Sequence, residues 1–266
     1  MPLIATRRYG PLRLRRDTAL AQAFQVAYLF GEGAHDLAGG SGRITLPGVS
    51  TLVRGARASY LTAAGSVAAG TPQFAVRYPL VMAWIGVARD TANNGVFAGF
   101  TANGGIGGSN WFVGGGSSTF VSVSARNNFG TTGGGSANVP GGAALGVPLV
   151  VVAQSLASNS HRIACNGSVG TVDATDVGAL VAWDRVYVGG GTNNTDHALL
   201  LAGSGLALSV EQMAWLSAKP ENVLSLFERG RIFSPFSGSA PVPTLSAATA
   251  IDITATSARP RVTITF

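Results

Sequence analysis

The sequence predicts a mainly β protein, an antiparallel sandwich with short helices near the C-terminus. Three observations favour this class. Short segments rich in valine and aromatic residues recur along the chain, and several alternate apolar and polar residues with the period of a strand. Clusters of Gly, Ser and Asn separate these segments, as is typical of tight turns. Charged residues make up only 11% of the 266 residues, so the surface is neutral and suits close packing against other subunits.

The first elements follow a short helical turn. Asp17 is predicted to cap this turn, which begins at Thr18. A strand is expected next, because apolar residues stand at every second position in Phe24, Val26, Tyr28 and Phe30. Ile44 and Leu46 indicate the start of another short strand, which Pro47 and Gly48 end.

Stronger strand signals begin at residue 74. We predict strands at 74–78, 80–87, 96–100, 111–113, 120–124, 147–153, 161–165, 169–172, 185–189 and 199–208. The glycine-rich segment 114–118 is predicted to separate two of these strands. Asn166-Gly167 stands between two others and is the signal of a type I′ hairpin turn.

Two short helices are predicted after these strands. Ser209 and Gln212 have the spacing of a capping box, which indicates that a helix begins there. Pro220 is predicted to be the first residue of a second helix that runs through Phe227. Residues 234–244 have the composition of a linker, and 250–256 and 262–266 alternate like strands, which would pair with the body or with a neighbour.

The positive charge is concentrated at the N-terminus. Residues 1–16 contain no acidic residue and hold five arginines, Arg7, Arg8, Arg13, Arg15 and Arg16, which supply all but one of the net charge of +6. We therefore divide the chain into a basic arm over 1–16, a sandwich over 17–233, and a linker with a C-terminal strand extension over 234–266. The five arginines are expected to dock onto a particle. The alternatives are an ordinary solvated arm, pairing with a neighbouring subunit's carboxylates, and nucleic-acid binding, which lacks interleaved aromatic residues.

Cysteine usage and hydropathy narrow the other possibilities. The single cysteine, Cys165, cannot form an internal disulfide and is expected to be a small buried apolar residue. The longest apolar run, 147–153, contains a proline and is far too short to span a bilayer, so no membrane insertion is expected. The N-terminus lacks the apolar core of a signal peptide, so we expect synthesis in a cytoplasm without standard export.

Four stretches carry a resemblance to a known family. They are 20–40, which ends in His-Asp-Leu-Ala-Gly, the aromatic strand 78–87, the Asn-Gly hairpin 162–167, and the glycine-ended strand 186–190 followed by Leu-Ser-Val-Glu-Gln at 208–212. In this order they resemble the concanavalin A-like/laminin G-like jelly-roll domains of phage and prophage structural proteins. The resemblance covers residues 17–233. It implies two curved sheets, usually without catalysis, in a protein that binds glycan, protein or other virion subunits.

From this resemblance we expect a phage virion structural protein, a tail or head fibre or surface subunit that docks to the particle and adheres to host surface glycans. Its partners would be other virion proteins and further copies of itself in a homo-oligomer. It would be made in the host bacterial cytoplasm and reside in the virion. The alternatives are a capsid decoration (cement) protein without a ligand, and a glycan hydrolase.

Catalytic constellations are sparse, so we predict no enzyme and no catalytic residues. Glu32, His35 and Asp36 form an acid–histidine cluster, which is either a base with its orienting group or a polar turn. Sandwich glycosidases need two carboxylates that face one cleft. The four glutamates, Glu32, Glu211, Glu221 and Glu228, do not alternate along a strand in that way, and His161 and His197 are isolated.

Sugar binding has more candidates, because carbohydrate sites combine aromatic faces with Asn, Asp and Gly loops. The predicted glycan-binding residues are Trp111, Asn127, Asn193, Asn194 and Asp196. The alternative interpretation is that Trp111 joins Trp84 and Trp183 as a core aromatic residue and that the asparagines form turns.

Aspartates on the sandwich rim hold calcium in some laminin G-like domains. Asp173, Asp176 and Asp196 are predicted to lie in turns, but their spacing does not match an ordered set of oxygen ligands. We therefore predict no cofactor and no metal, with calcium as the alternative.

Overall fold

The computed structural model of the chain describes residues 12–30, 37–38, 50–54, 59–64, 76–88, 96–102, 110–117, 120–126, 132–138, 147–180, 183, 185–188 and 194–229. The chain divides into two units, Met1–Gly230 and Arg231–Phe266. All of the described residues belong to the first unit. The predicted strand at Ile44 and Leu46, the linker and the two C-terminal strands also lie outside the described residues.

The described residues form mainly β structure. In chain order the strands are β1 (Leu12–Leu14), β2 (Val26–Leu29), β3 (Ser50–Arg54), β4 (Ser59–Ala64), β5 (Leu80–Ala88), β6 (Val96–Thr101), β7 (Asn110–Ser117), β8 (Phe120–Arg126), β9 (Thr132–Asn138), β10 (Pro148–Ala157), β11 (Ser160–Cys165), β12 (Ser168–Val169), β13 (Arg185–Val188), β14 (Asn194–Ser204) and β15 (Phe227–Arg229). The helices are α1 (Ala19–Gln22), α2 (Val210–Ala218) and α3 (Pro220–Leu224). Within this part of the chain, no helix has the length and apolar character needed to cross a bilayer.

The strands pair antiparallel in three sheets. The larger sheet has the order β12-β11-β10-β5-β14-β4-β3, and β2 also pairs with β14. A five-stranded sheet has the order β13-β6-β7-β8-β9, and β1 pairs with β15 in a two-stranded ribbon. This arrangement confirms the predicted fold class, an antiparallel sandwich with short C-terminal helices.

The packing of the core explains why the sequence of β5 is a continuous apolar run. Along β5, Leu80, Met82 and Trp84 face the layer between the two large sheets. The alternate residues Val81 and Ala83 face a second layer on the outer side of the larger sheet, where α1, α2 and α3 cover it. Because both faces are covered, each position along β5 is apolar.

Several local predictions are confirmed. Asn166 and Gly167 both have positive φ, 46° and 85°, as a type I′ turn requires. Ser209 and Gln212 form the complete capping box of α2, and Pro220 is the first residue of α3. Cys165 is buried, and burial raises the pKa of its thiol to about 12.

Other boundaries differ from the prediction. Thr18 caps α1 through a hydrogen bond from Ala21 N, while Asp17 pairs with Arg15 instead. The predicted turn 114–118 begins as strand, because β7 continues to Ser117 and pairs with β8, with a shift in register between Gly115 and Ser117. The second helix ends at Leu224, since residues 227–229 form β15.

The strands β1, β3, β4, β9 and β15 were not predicted, and β9 shows one reason. Three of its seven residues are glycine, and a Cβ on Gly133 would lie 2.8 Å from the carbonyl oxygen of Thr175. A Cβ on Gly135 would lie 3.2 Å from the carbonyl oxygen of His161. The glycines therefore allow the backbone that follows β12 and the backbone of β11 to approach β9 closely, and they leave no alternation of side chains to recognise.

The ribbon of β1 and β15 brings part of the predicted arm into the sandwich. Arg13 pairs with Glu228 at 2.7 Å, and Arg15 N donates to Leu226 O at 2.8 Å. The guanidinium of Arg16 donates to Phe24 O and Ala38 O. Residues 12–16 thus contact the body, and the rest of the arm, with Arg7 and Arg8, lies outside the described residues.

Candidate functional site

Trp111, the aromatic residue of the predicted glycan site, lies inside the sandwich. Its side chain is 0% exposed, and its ring stacks with that of Trp183 at 6.1 Å between centroids. Its Nε1 donates to Ser155 Oγ at 3.0 Å. A ring buried in this way offers no face to a sugar, so Trp111 is a core aromatic residue and we do not retain it as a glycan-binding residue.

The other predicted glycan residues are separated from Trp111. Asn194 and Asp196 lie on β14, where they pair with Ala64 and Thr62 of β4. The turn predicted for Asp196 is therefore replaced by a strand, and this residue is only 8% exposed. Asn127 and Asn193 lie outside the described residues. The structure thus joins Asn194 and Asp196 on one strand and does not bring an exposed tryptophan to them.

A buried serine–histidine pair links the two large sheets. Ser155 Oγ lies 2.9 Å from His161 Nδ1, and His161 Nε2 lies 3.0 Å from Ser158 O. Because a carbonyl only accepts, Nε2 carries the proton, so Ser155 donates to Nδ1 and accepts from Trp111. Trp111 belongs to the five-stranded sheet, and Ser155 and His161 belong to the larger one.

Serine–histidine pairs are also the nucleophile and base of many hydrolases. Here both side chains are completely buried, and the histidine is oriented by backbone carbonyls rather than by a carboxylate. The geometry of Ser155 and His161 is therefore that of a closed structural connection between sheets.

A second buried histidine, His197, forms a similar connection within the larger sheet. Trp84 Nε1 donates to His197 Nδ1 at 3.1 Å, and His197 Nε2 lies 2.8 Å from Thr195 Oγ1. Since Nδ1 accepts, Nε2 donates to the threonine hydroxyl. Burial lowers the pKa of His197 to about 3, so the imidazole is neutral in the folded protein.

The aspartates considered for calcium fix the backbone that follows β12. The Asp173 carboxylate accepts from Gly134 N at 2.7 Å and from Thr175 N at 2.9 Å. Burial opposes its charged form, but these hydrogen bonds outweigh burial and hold the pKa of Asp173 below its usual value. Asp176 accepts from Gly178 N at 2.8 Å. Over the residues that the structure describes, no three acidic, histidine or cysteine residues form a metal-binding group.

Trp215 on α2 is an exposed aromatic residue that the sequence analysis did not select. Its side chain is 47% exposed, whereas Trp84, Trp111 and Trp183 are buried. Met213 and Leu216 of the same helix pack into the core. Because successive residues of a helix are about 100° apart, Trp215 lies on the side of α2 away from Met213 and Leu216. The sequence therefore already indicates that Trp215 is exposed.

Polar side chains at the beginning of α2 are fixed beside this face. Ser209 N donates to Gln212 Oε1 at 2.7 Å, and Ser209 Oγ donates to Glu211 Oε2 at 2.7 Å. The bond from Ser209 holds the pKa of Glu211 below its usual value, so this carboxylate is charged at neutral pH. The arrangement combines one indole with a carboxylate and a carboxamide on the surface.

The far end of α2 is also held in place. Asn222 Nδ2 donates to the carbonyl oxygen of Trp215, and Gly167 N donates to Ser217 Oγ at 3.2 Å. The helix is thereby attached to α3 and to the hairpin between β11 and β12. Trp215 is presented on a helix whose first turn is capped and whose C-terminal part is attached to neighbouring elements.

Comparisons with known proteins give the fold. No protein-family model matches the sequence, and no curated protein matches it. Among solved structures, the receptor-binding domain of botulinum neurotoxin type G has 8% sequence identity, a TM-score of 0.55 and coverage of 76% of this chain and 51% of that chain. The binding domain of botulinum neurotoxin serotype C1 has 11% identity, a TM-score of 0.58 and coverage of 76% and 51%.

A third similar structure belongs to botulinum neurotoxin type C, whose cell entry depends on interaction with two ganglioside molecules. It has 11% identity, a TM-score of 0.56 and coverage of 77% of this chain and 52% of that chain. The chain therefore spans about half the length of these structures. At this level of identity the similarity shows a shared β-sandwich fold.

Proposed function

We propose that this chain is a structural subunit of a bacteriophage particle, a fibre or surface protein of the tail or head, whose sandwich adheres to glycans on the host. The observation that carries the proposal is how the polar and aromatic residues are distributed. Ser155, His161 and His197 are enclosed in the core, whereas Trp215 is exposed on a fixed helix. This distribution suits a binding module better than a catalytic one.

Two further lines support the proposal. The four stretches that resemble phage jelly-roll proteins support the particle assignment, together with a surface on which few residues are charged. One similar solved structure is a receptor-binding domain, a second is a binding domain, and a third belongs to a toxin whose cell entry depends on interaction with two ganglioside molecules, which is consistent with an adhesive use of the same fold.

The test begins with purified particles. Mass spectrometry of virions from the phage that encodes the chain is expected to detect the protein at a stoichiometry of many copies. Its absence from purified virions would refute the particle assignment. The isolated chain is also expected to compete with those virions for adsorption to host cells, and a homo-oligomer is expected in a sizing experiment.

A capsid decoration protein is the second candidate, because a neutral, glycine-rich surface also suits packing on a shell. Loss of a decoration protein would reduce the resistance of capsids to heat or low salt and leave adsorption unchanged. Loss of an adhesive subunit would reduce adsorption and leave capsid resistance unchanged.

Docking is assigned to Arg7 and Arg8, because Arg13, Arg15 and Arg16 already contact the body. Substitution of Arg7 and Arg8 by alanine is expected to reduce incorporation into particles without affecting folding. The matched control is Arg77→Ala, which removes an exposed arginine elsewhere on the body. Equal incorporation of all three proteins would contradict the docking role.

A further inference from the structure

We propose that Trp215, together with Glu211 and Gln212, is a binding platform for a neutral pyranose residue of a glycan. The proposal rests on the adhesive function proposed above and names the site and the ligand class for it. A pyranose has one apolar face of C–H groups and a rim of hydroxyls. It is recognised by an aromatic ring beside hydrogen-bonding groups, and α2 presents this combination.

The direction of side chains on a helix brings the three residues together. Long side chains of a helix point back toward its N-terminus, over the residues three and four positions earlier. For Trp215 these residues are Gln212 and Glu211. By this rule we expect the indole to lie over the turn of α2 that carries the carboxamide and the carboxylate.

Both polar groups are already held by Ser209. Gln212 uses its Oε1 for the backbone N–H of Ser209, and Glu211 uses its Oε2 for the Ser209 hydroxyl. The second carboxylate oxygen of Glu211 and the amide nitrogen of Gln212 take no part in these bonds. A site whose groups are fixed before binding loses less side-chain entropy when the ligand arrives.

Within α2, the distribution of exposed apolar residues favours a sugar over a protein partner. Val210, 43% exposed, is the other large exposed apolar residue of α2. It lies five residues before Trp215, which places it about 140° around the helix and about 7.5 Å along it. A protein interface needs a cluster of apolar side chains at its centre, whereas a single pyranose needs one ring face.

The charge of the platform selects the class of sugar. The Glu211 carboxylate accepts hydrogen bonds from hydroxyls and repels another carboxylate. A neutral hexose or N-acetylhexosamine fits this chemistry, and a sialic acid does not.

The experiment uses the full chain and a panel of immobilised neutral oligosaccharides that end in glucose, galactose, mannose or N-acetylglucosamine. Sialylated oligosaccharides on the same panel provide the anionic comparison. Trp215→Ala is expected to weaken binding of the preferred neutral glycan more than about tenfold, as truncation of an aromatic anchor does. Trp215→Phe is expected to retain part of the affinity, and Glu211→Gln is expected to relax the discrimination against sialylated glycans.

Val210→Ala is the matched control, since it removes a similarly exposed apolar side chain from the same helix. Circular dichroism shows whether each variant is folded.

If Trp215→Ala binds neutral glycans like the unaltered chain, the platform is overturned while the adhesive function stands. If the unaltered chain binds only sialylated glycans, the ligand class is wrong, and if it binds none, the adhesive function fails with the platform. The assignment to a particle is tested separately by mass spectrometry of virions.

Discussion

The tryptophans of this chain differ in whether the side chain is buried and in which group accepts a hydrogen bond from the indole N–H. Trp84 and Trp111 are fully buried; Trp84 donates its N–H to His197 on the neighbouring strand β14, and Trp111 donates to Ser155 of the opposite sheet. A buried donor left without an acceptor costs about 1–3 kcal/mol, so His197 and Ser155 are the acceptors that make burial of these rings possible. Trp215 exposes about half of its side chain, 47%, and can engage a ligand from outside.

The buried imidazole of His197 makes stability depend on pH. Its folded-state pKa is lowered from 6.5 to about 3, so below pH 6.5 the unfolded chain takes up a proton that the folded chain excludes. Stability therefore falls as the pH decreases from about 6.5 toward about 3, by at most about 1.4 kcal/mol per pH unit from this group.

His197→Gln tests this dependence. The amide cannot titrate, and its oxygen can still accept from Trp84. We expect the variant to be less stable than the unaltered chain at pH 7 and to lose less stability between pH 6 and pH 4. Urea unfolding at several pH values measures both slopes. Parallel slopes would contradict the assignment.

At the scale of elements, α2 depends on its first residue. Ser209 both caps the helix and fixes Glu211 and Gln212. Ser209→Ala is expected to lower the free energy of unfolding by about 1 kcal/mol, the typical loss for an N-cap hydroxyl. Urea unfolding measures the change. Ser209→Thr retains the hydroxyl and is expected to recover most of the stability, and equal losses in both variants would show that the cap is not the cause.

The elements also show how far the sequence determines the fold. The apolar runs of β5 and β10, the Asn166-Gly167 turn and the capping box were predictable because each depends on neighbouring residues. The strand β9 was not, because Gly133 and Gly135 owe their presence to backbone that approaches from β11 and from the segment after β12. Their role becomes visible only when the sheets are packed.

The candidate site shows the same limit. Trp111 and Val113 alternate with Phe112, so the period of β7 places the first two on one face. Which face points inward depends on the packing of the two sheets. The local pattern therefore could not decide whether Trp111 is a core residue or a glycan-binding residue. For α2 the period sufficed, since the positions of Met213 and Leu216 already place Trp215 on the outer side.

At the scale of the whole molecule, the ribbon of β1 and β15 joins segments that are far apart in sequence. Leu12 pairs with Arg229, Arg13 with Glu228, and Leu14 with Phe227. Leu14 is buried against the outer layer of the larger sheet, where it contributes about 1.5–3 kcal/mol by the usual value for a leucine side chain. The ion pair between Arg13 and Glu228 is exposed, and such pairs contribute at most about 1 kcal/mol.

Two deletions separate folding from docking at this ribbon. Removal of residues 1–11 eliminates Arg7 and Arg8 and leaves β1 intact, so we expect an unchanged melting temperature and reduced incorporation into particles. Removal of residues 1–16 also eliminates the buried Leu14 and the pairing with β15, so we expect a lower melting temperature as well, with a loss of about 2 kcal/mol or more. Thermal unfolding of both proteins measures the difference, and Leu14→Ala in the full chain is the matched control. Equal melting temperatures for the two deletions would show that the ribbon does not stabilise the sandwich, because the longer deletion removes β1 and the shorter one retains it.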